Sequence, residues 1–234
     1  MLDIMDLTPD KRYSRHTNLS QIGESGQKRI RESHILIVGM GGLGSPAALY
    51  LAAAGVGQLT FADFDTVELS NLQRQIAHNT ERVGQLKTES AKTSCLQINA
   101  ECTINTVNYA LENNDLDELL PNCDVVLDCS DNFPTRFAVN TACVKHKVPL
   151  VSGAAIRFDG QISVYDARHN DSPCYACLYS DTTASADSCA QAGILGPVVG
   201  MVGCVQAIEA LKLVTRIGDS LAGRLVLFDG LSME

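Results

Sequence analysis

The stretch His34-Ile35-Leu36-Ile37-Val38-Gly39-Met40-Gly41-Gly42-Leu43-Gly44 joins an apolar run to a glycine turn and then to an apolar segment of helical length. A strand that empties into such a turn and restarts as a helix opens a nucleotide-binding βα unit. The missing side chains let backbone N–H groups at the helix N-terminus approach a phosphate, so Gly39, Gly41, Gly42 and Gly44 are expected at a nucleotide site. Further along, Ser70-Asn71-Leu72-Gln73-Arg74-Gln75 follows the acidic strand end Asp63-Phe64-Asp65 and puts an arginine close to the same phosphates. The glycines alone would suit a redox dinucleotide enzyme. An arginine aimed at the phosphates suggests instead that the phosphates are what reacts.

Outward from this turn, strand and helix patterns alternate: strand 34–38, helix 43–55, strand 58–63, helix 85–98, strand 102–107, helix 112–120, strand 124–129, helix 132–146 and strand 148–152. Such alternation predicts an α/β fold with a Rossmann-like, doubly wound, mainly parallel sheet. After Gly153 the pattern changes: Gly160 to Tyr165 reads as a strand reached without a crossover helix, so it should pair antiparallel. A polar stretch, 166–192, is too long for an ordinary connection and is expected to be functional and mobile. Gly196 to Thr215 reads as an apolar helix and Gly223 to Phe228 as a last strand. Ahead of the core, Thr8 to Arg31 reads as a polar helical lead-in with Gly23 and Gly26 as breaks. The expected organisation is one domain over 1–234, with an N-terminal helical arm (1–31), a nucleotide-binding core (34–152) and a C-terminal part (153–234).

A chain of 234 residues that is 45% hydrophobic can bury a full core. The Val198 to Val214 run is interrupted by Gln206, Glu209 and Lys212, so no segment is expected to span a membrane. There is no signal-peptide pattern, which points to a cytoplasmic protein. A net charge of −9 argues against nucleic acid as a partner. Nine cysteines without an export signal suggest reduced thiols used in packing, metal binding or sulfur chemistry.

Asp63 ends the second strand where an acidic residue takes ribose hydroxyls, or else caps the following turn. Arg74 and Lys87 lie on the sheet edge where ligands bind in open α/β folds, within reach of one phosphate chain, or else are solvated surface charges. Asp131, in Asp128-Cys129-Ser130-Asp131-Asn132 after the fourth strand, is placed to hold Mg²⁺ on a triphosphate, or to cap the next helix. Cys174-Tyr175-Ala176-Cys177 supplies half of a tetrahedral zinc site, or a redox dithiol. Cys189 sits just before the apolar helix, whose N-terminus would favour thiolate, or else is a spare small residue. Cys95, Cys102, Cys123, Cys129, Cys143 and Cys204 fall in regular elements and read as core, and no histidine shows metal-type spacing.

With these residues in hand, the chain resembles the ThiF/MoeB/HesA family of the ubiquitin-activating enzyme superfamily from Arg12 to its last residues. The likeness rests on Arg12-Tyr13-Ser14-Arg15, the glycine turn, Asp63-Phe64-Asp65, Ser70 to Gln75, Lys87, Asp128 to Asn132, Cys174-x-x-Cys177 and Gly193 to Gly200. The resemblance implies an ATP pocket of Gly42, Asp63, Ser70, Asn71, Leu72, Gln73, Arg74, Lys87, Asp131 and Asn132. It implies a homodimer in which Arg15 reaches into the neighbouring subunit's pocket. The implied reaction is adenylation of the C-terminal glycine carboxylate of a ubiquitin-like sulfur carrier ending in Gly-Gly, of ThiS or MoaD type, with Mg-ATP as substrate and pyrophosphate released. Thiamin-branch relatives form a sulfur-linked conjugate at the position of Cys189, whereas molybdopterin-branch relatives can carry a cysteine there without needing it. Family members commonly complete the zinc site with a second Cys-x-x-Cys, which this sequence does not contain. Val148 to Gly160 looks like the molybdopterin branch, while Gly193 to Gly200 and Leu227 to Gly230 look like the thiamin branch. A sulfur donor is expected to be a separate protein. Competing readings are an NAD(P)-dependent oxidoreductase, which leaves Arg74, Lys87 and Asp131 without a purpose, and a non-catalytic carrier-binding scaffold.

Overall fold

The parallel strands β1 (His34–Val38), β2 (Gln58–Ala62), β3 (Thr103–Val107), β4 (Val125–Asp128) and β5 (Leu150–Ile156) and the antiparallel β6 (Asp159–Tyr165) and β7 (Leu225–Asp229) form one sheet in the order β3-β2-β1-β4-β5-β6-β7. This is a computed structural model, and it describes residues 9–169, 171–179 and 192–234. Cys189 and most of the carboxyl-terminal half of the 166–192 loop lie outside the described residues, and with them the expectation of loop mobility.

The sequence His34-Ile35-Leu36-Ile37-Val38 shows why β1 is central. Ile35 and Ile37 face one layer, Leu36 and Val38 the other, and all four are buried. On the first face lie α4 (Gly44–Ala54), α5 (Lys87–Ile98) and α9 (Gly196–Thr215), which share a core with Leu59, Phe61 and Leu127. On the second lie α6 (Asn113–Leu119) and α7 (Phe133–His146), packed on Val126 and Leu150. The strand order runs outward in both directions from the β1/β4 boundary, so a crevice opens beyond the carboxyl ends of these two strands.

Three local features depart from the sequence reading. The lead-in comprises α1 (Pro9–Arg12), α2 (Ser14–Thr17) and α3 (Gly23–Glu32), and Gly26 lies inside α3 rather than breaking it. It is glycine because a Cβ there would meet Ile22 Cγ2 at 2.9 Å. β5 runs to Ile156, beyond the expected 152, because it forms a hairpin with β6 around Arg157, whose φ is +54°. A short helix, α8 (Tyr175–Leu178), starts at the Cys-x-x-Cys pair.

By length and mean hydropathy (1.6) α9 would pass for a membrane span, contrary to the expectation from its interrupting polar residues. Here it lies along the sheet, with Gln206 and Glu209 buried. Gln206 donates from Nε2 to the carbonyls of Asp128 (2.9 Å) and Val151 (3.2 Å), tying the ends of β4 and β5 together. The lead-in docks through Tyr13, whose ring lies where a Cβ on Gly55 would be, at 2.5 Å, and whose hydroxyl accepts from Asn99 Nδ2.

Candidate active site

The crevice is a cleft of about 1160 Å³ at the carboxyl edge of the sheet. Its floor is the turn between β1 and α4. Gly39 has φ +94°, and a Cβ on it would sit 2.6 Å from the carbonyl oxygen of Cys129, so the turn passes against the end of β4. A Cβ on Gly44 would meet the Gly39 carbonyl, so α4 can start this tightly only with glycine there. Gly42 faces Val199 of α9, where a Cβ would lie 2.6 Å from Cγ1. Gly41 is the open one, its nearest neighbour being Gln75 Nε2 at 3.6 Å.

Asp63, at the end of β2, holds this turn. Its Oδ2 accepts from the Met40 N–H at 2.7 Å and its Oδ1 from the Asp65 N–H at 2.9 Å. Burial raises its pKa, partly offset by those bonds and by Lys87. Each oxygen keeps a further lone pair for a ligand hydroxyl. His78 steadies the same turn from below: its Nε2 bonds the Met40 carbonyl at 3.0 Å and its Nδ1 the Ser90 hydroxyl at 2.9 Å.

Between β2 and α5 the chain makes an excursion whose base is clamped by the Thr66–Leu86 bridge and by Lys87, which donates to Asp65 Oδ2 at 2.7 Å. The excursion carries the 3₁₀ turn Leu69–Asn71, capped reciprocally by Glu68 and Asn71. Arg74 follows, its Cγ lying 3.5 Å from where a Cβ on Gly42 would be and its Nη1 bonded to the Ser70 carbonyl at 3.1 Å. Across the cleft, Asp131 is exposed, and it is Asn132, accepting from Thr135 N–H at 2.9 Å, that caps α7. The capping alternative for Asp131 is thereby corrected.

Behind Asp131 lies a buried ion pair. Arg136 donates to Asp128 Oδ2 (3.1 Å), to the Gly153 carbonyl (3.0 Å) and to the Ser130 carbonyl, while the N–H and hydroxyl of Ser130 both donate to Asp128 Oδ1. Asp128 is fully buried. Ser130 is thus gripped at both backbone atoms and its side chain, which fixes the loop that presents Asp131.

Of the residues expected from sequence, Gly39, Gly41, Gly42, Asp63, Arg74, Lys87, Asp131 and Asn132 line the cleft. Gly44, Ser70, Asn71, Leu72 and Gln73 do not line it. Arg15 is exposed on α2 and lies away from the cleft of its own chain. Cys174 and Cys177 have their sulfurs 3.6 Å apart, and no group of three or more metal-ligating side chains occurs among the described residues. Burial acts to raise the Cys174 pKa, but hydrogen bonds from Cys177 and Asn140 bring it below the usual thiol value. Cys95 and Cys102 are buried as expected, their thiols pushed up to about 12 and about 11, whereas Cys123 and Cys204 are only half-buried. Asp65, Gln75 and Arg136 line the cleft without having been singled out; the repeated acid in Asp63-Phe64-Asp65 was the available signal for the first.

Residues 13–234 match the ThiF family. The chain is 49% identical over 223 residues to a Haemophilus influenzae protein named molybdopterin-synthase adenylyltransferase, covering 95% of this chain and 91% of that protein. It is 47% identical over 223 residues to the Zea mays adenylyltransferase and sulfurtransferase MOCS3-1, covering 94% of this chain but only 47% of that protein. Escherichia coli MccB, solved with ATP, has the same fold, with a TM-score of 0.80 over 95% of this chain and 69% of that one at 22% identity. Matched over nearly its whole length, the chain belongs to the ThiF family.

Proposed function

We propose that this chain is an ATP-dependent adenylyltransferase that activates the C-terminal glycine carboxylate of a ubiquitin-like sulfur carrier. The observation that carries the reading is the convergence of Arg74, Lys87 and Asp131 on one cleft floored by the glycine turn. A hydride-transfer site has no use for that set. The names of the curated relatives favour the molybdopterin branch, hence a MoaD-type carrier, over the thiamin branch.

In the proposed reaction a carboxylate oxygen attacks the α-phosphorus of Mg-ATP, forming an acyl–phosphate bond as the bond to the β-phosphate oxygen breaks and pyrophosphate leaves. The nucleophile is already an anion at neutral pH, so no general base is required. What must be supplied is positioning and cationic stabilisation of charge building on phosphate oxygens. Arg74 and Lys87 supply it from one wall, and Lys87 would exchange Asp65 for phosphate as the nucleotide enters. Asp131 offers a carboxylate oxygen suited to the Mg²⁺ that accompanies ATP. Arg15 would act from the second subunit of a homodimer. Cys174 and Cys177 would supply two of the four thiolates of a structural zinc site. Cytoplasmic location follows the same reading.

The test is exchange of labelled pyrophosphate into ATP with a panel of carriers ending in Gly-Gly. Exchange dependent on a carrier, lost in Asp131→Ala and Arg74→Ala while both variants stay folded, is the expected result. Full exchange in either variant would overturn the assignment.

A further inference from the structure

Gln75 is a polar residue of this cleft for which the reaction above has no task, and its side chain is in an unusual state. It is 4% exposed, and its Oε1 is buried with no hydrogen-bond partner among the described residues. An orphaned buried acceptor costs stability, so its retention needs a reason. The same carboxamide lines the cleft and brings Nε2 to 3.6 Å from the position of a Cβ on Gly41, the one glycine of the turn where a Cβ would meet nothing closer than ordinary van der Waals contact.

The backbone places it there deliberately. Gln75 N–H donates to the Asn71 carbonyl at 3.0 Å, continuing the turn that the Glu68–Asn71 cap begins. As a result two consecutive side chains, Arg74 and Gln75, lie against two consecutive glycines, Gly42 and Gly41. The guanidinium brings charge. The amide brings a neutral N–H₂ donor to the glycine that a phosphate can approach most closely.

We propose that Gln75 is a further nucleotide-contacting residue, whose side-chain N–H₂ donates to a phosphate oxygen of ATP over Gly41. The unpaired oxygen is then the consequence of holding the amide with its donor side toward the ligand. This rests on the ATP-dependent reading above, and goes beyond it in naming a contact that the charged residues do not make.

The proposal makes opposite demands on stability and affinity, which separates it from a structural role. Gln75→Met keeps the length of the side chain and removes both the orphaned oxygen and the donor. Thermal unfolding without nucleotide should show a Tm equal to or above that of the unaltered protein. ATP affinity, measured by calorimetric titration with Mg²⁺ and no carrier, should fall on the order of tenfold, the loss expected for a hydrogen bond to a charged group. Gln75→Glu, nearly isosteric, replaces the donor with a carboxylate and should weaken ATP further, with the deficit reduced on protonation at lower pH. Unchanged ATP affinity in both variants, or a lowered Tm with unchanged affinity in Gln75→Met, would overturn the proposal. Failure of the unaltered protein to bind ATP would instead overturn the reading on which it rests.

Discussion

His78 ties a titration to the phosphate-binding turn. Burial lowers its pKa below 6.5, with Lys87 and Arg82 acting in the same direction against the bond to Met40, so the folded protein holds it neutral, Nε2–H on the Met40 carbonyl. Between that lowered value and 6.5 the unfolded chain binds a proton that the folded chain does not, so stability is full above 6.5 and falls as pH drops below it. Urea unfolding across this window should show that slope, and His78→Gln, which keeps a donor for Met40 but cannot titrate, should lose this part of it. Arg136 makes a larger difference at neutral pH. Arg136→Met strands the fully buried Asp128 without its partner, a loss of about 3–5 kcal/mol read as a Tm lower by roughly 6–20 °C. In the double variant Arg136→Met/Asp128→Leu no charge is stranded, and part of that loss should return; equal Tm values for the single and double variants would show that the pair itself is not what matters.

At the scale of elements, a tight constraint lies where α9 crosses α4. A Cβ on Gly203 would sit 2.3 Å from the Leu43 carbonyl oxygen and 2.7 Å from Pro46 Cγ, and the first of these is backbone that cannot yield. Gly203→Ala should therefore push the helices apart and cost about 1–3 kcal/mol or more, while also weakening ATP binding, because Val199 on the same helix backs Gly42. A Gly203→Ala variant with unchanged Tm would show that the crossing is looser than it looks. The regular elements were legible because each carries its own local signal: an apolar strand run, a helix-length segment, a glycine after it. Gly26 and the outer half of β5 were not, since Gly153-Ala154-Ala155 has little strand propensity and is held in the sheet by its partner β6. The same division runs through the cleft. Arg74, Lys87 and Asp131 could be placed from sequence because residues just past parallel strands gather at one sheet edge and the motifs around them resemble the family's, but the Lys87–Asp65 and Arg136–Asp128 pairs depend on which side chains meet after folding.

For the molecule as a whole, the informative residue is the one that the fold leaves out. Arg15 is exposed on α2, away from the cleft its own chain builds. If the proposed homodimer delivers it to the neighbouring cleft, each site is made from two chains, Arg15 from one and Arg74, Lys87 and Asp131 from the other. Arg15→Ala and Asp131→Ala would then each be inactive alone and yet complementary. In a mixed dimer, the cleft of the Arg15→Ala chain keeps its own Asp131 and receives Arg15 from its neighbour, while the other cleft lacks both. Random pairing of equal amounts makes about half of the dimers mixed, so co-expression of the two variants should restore roughly a quarter of the unaltered exchange activity. An arginine acting within its own chain would give none, because no cleft would then hold both groups. Activity near a quarter thus requires both a dimer and a shared site, and its absence from a verified mixed dimer would confine Arg15 to the chain that carries it.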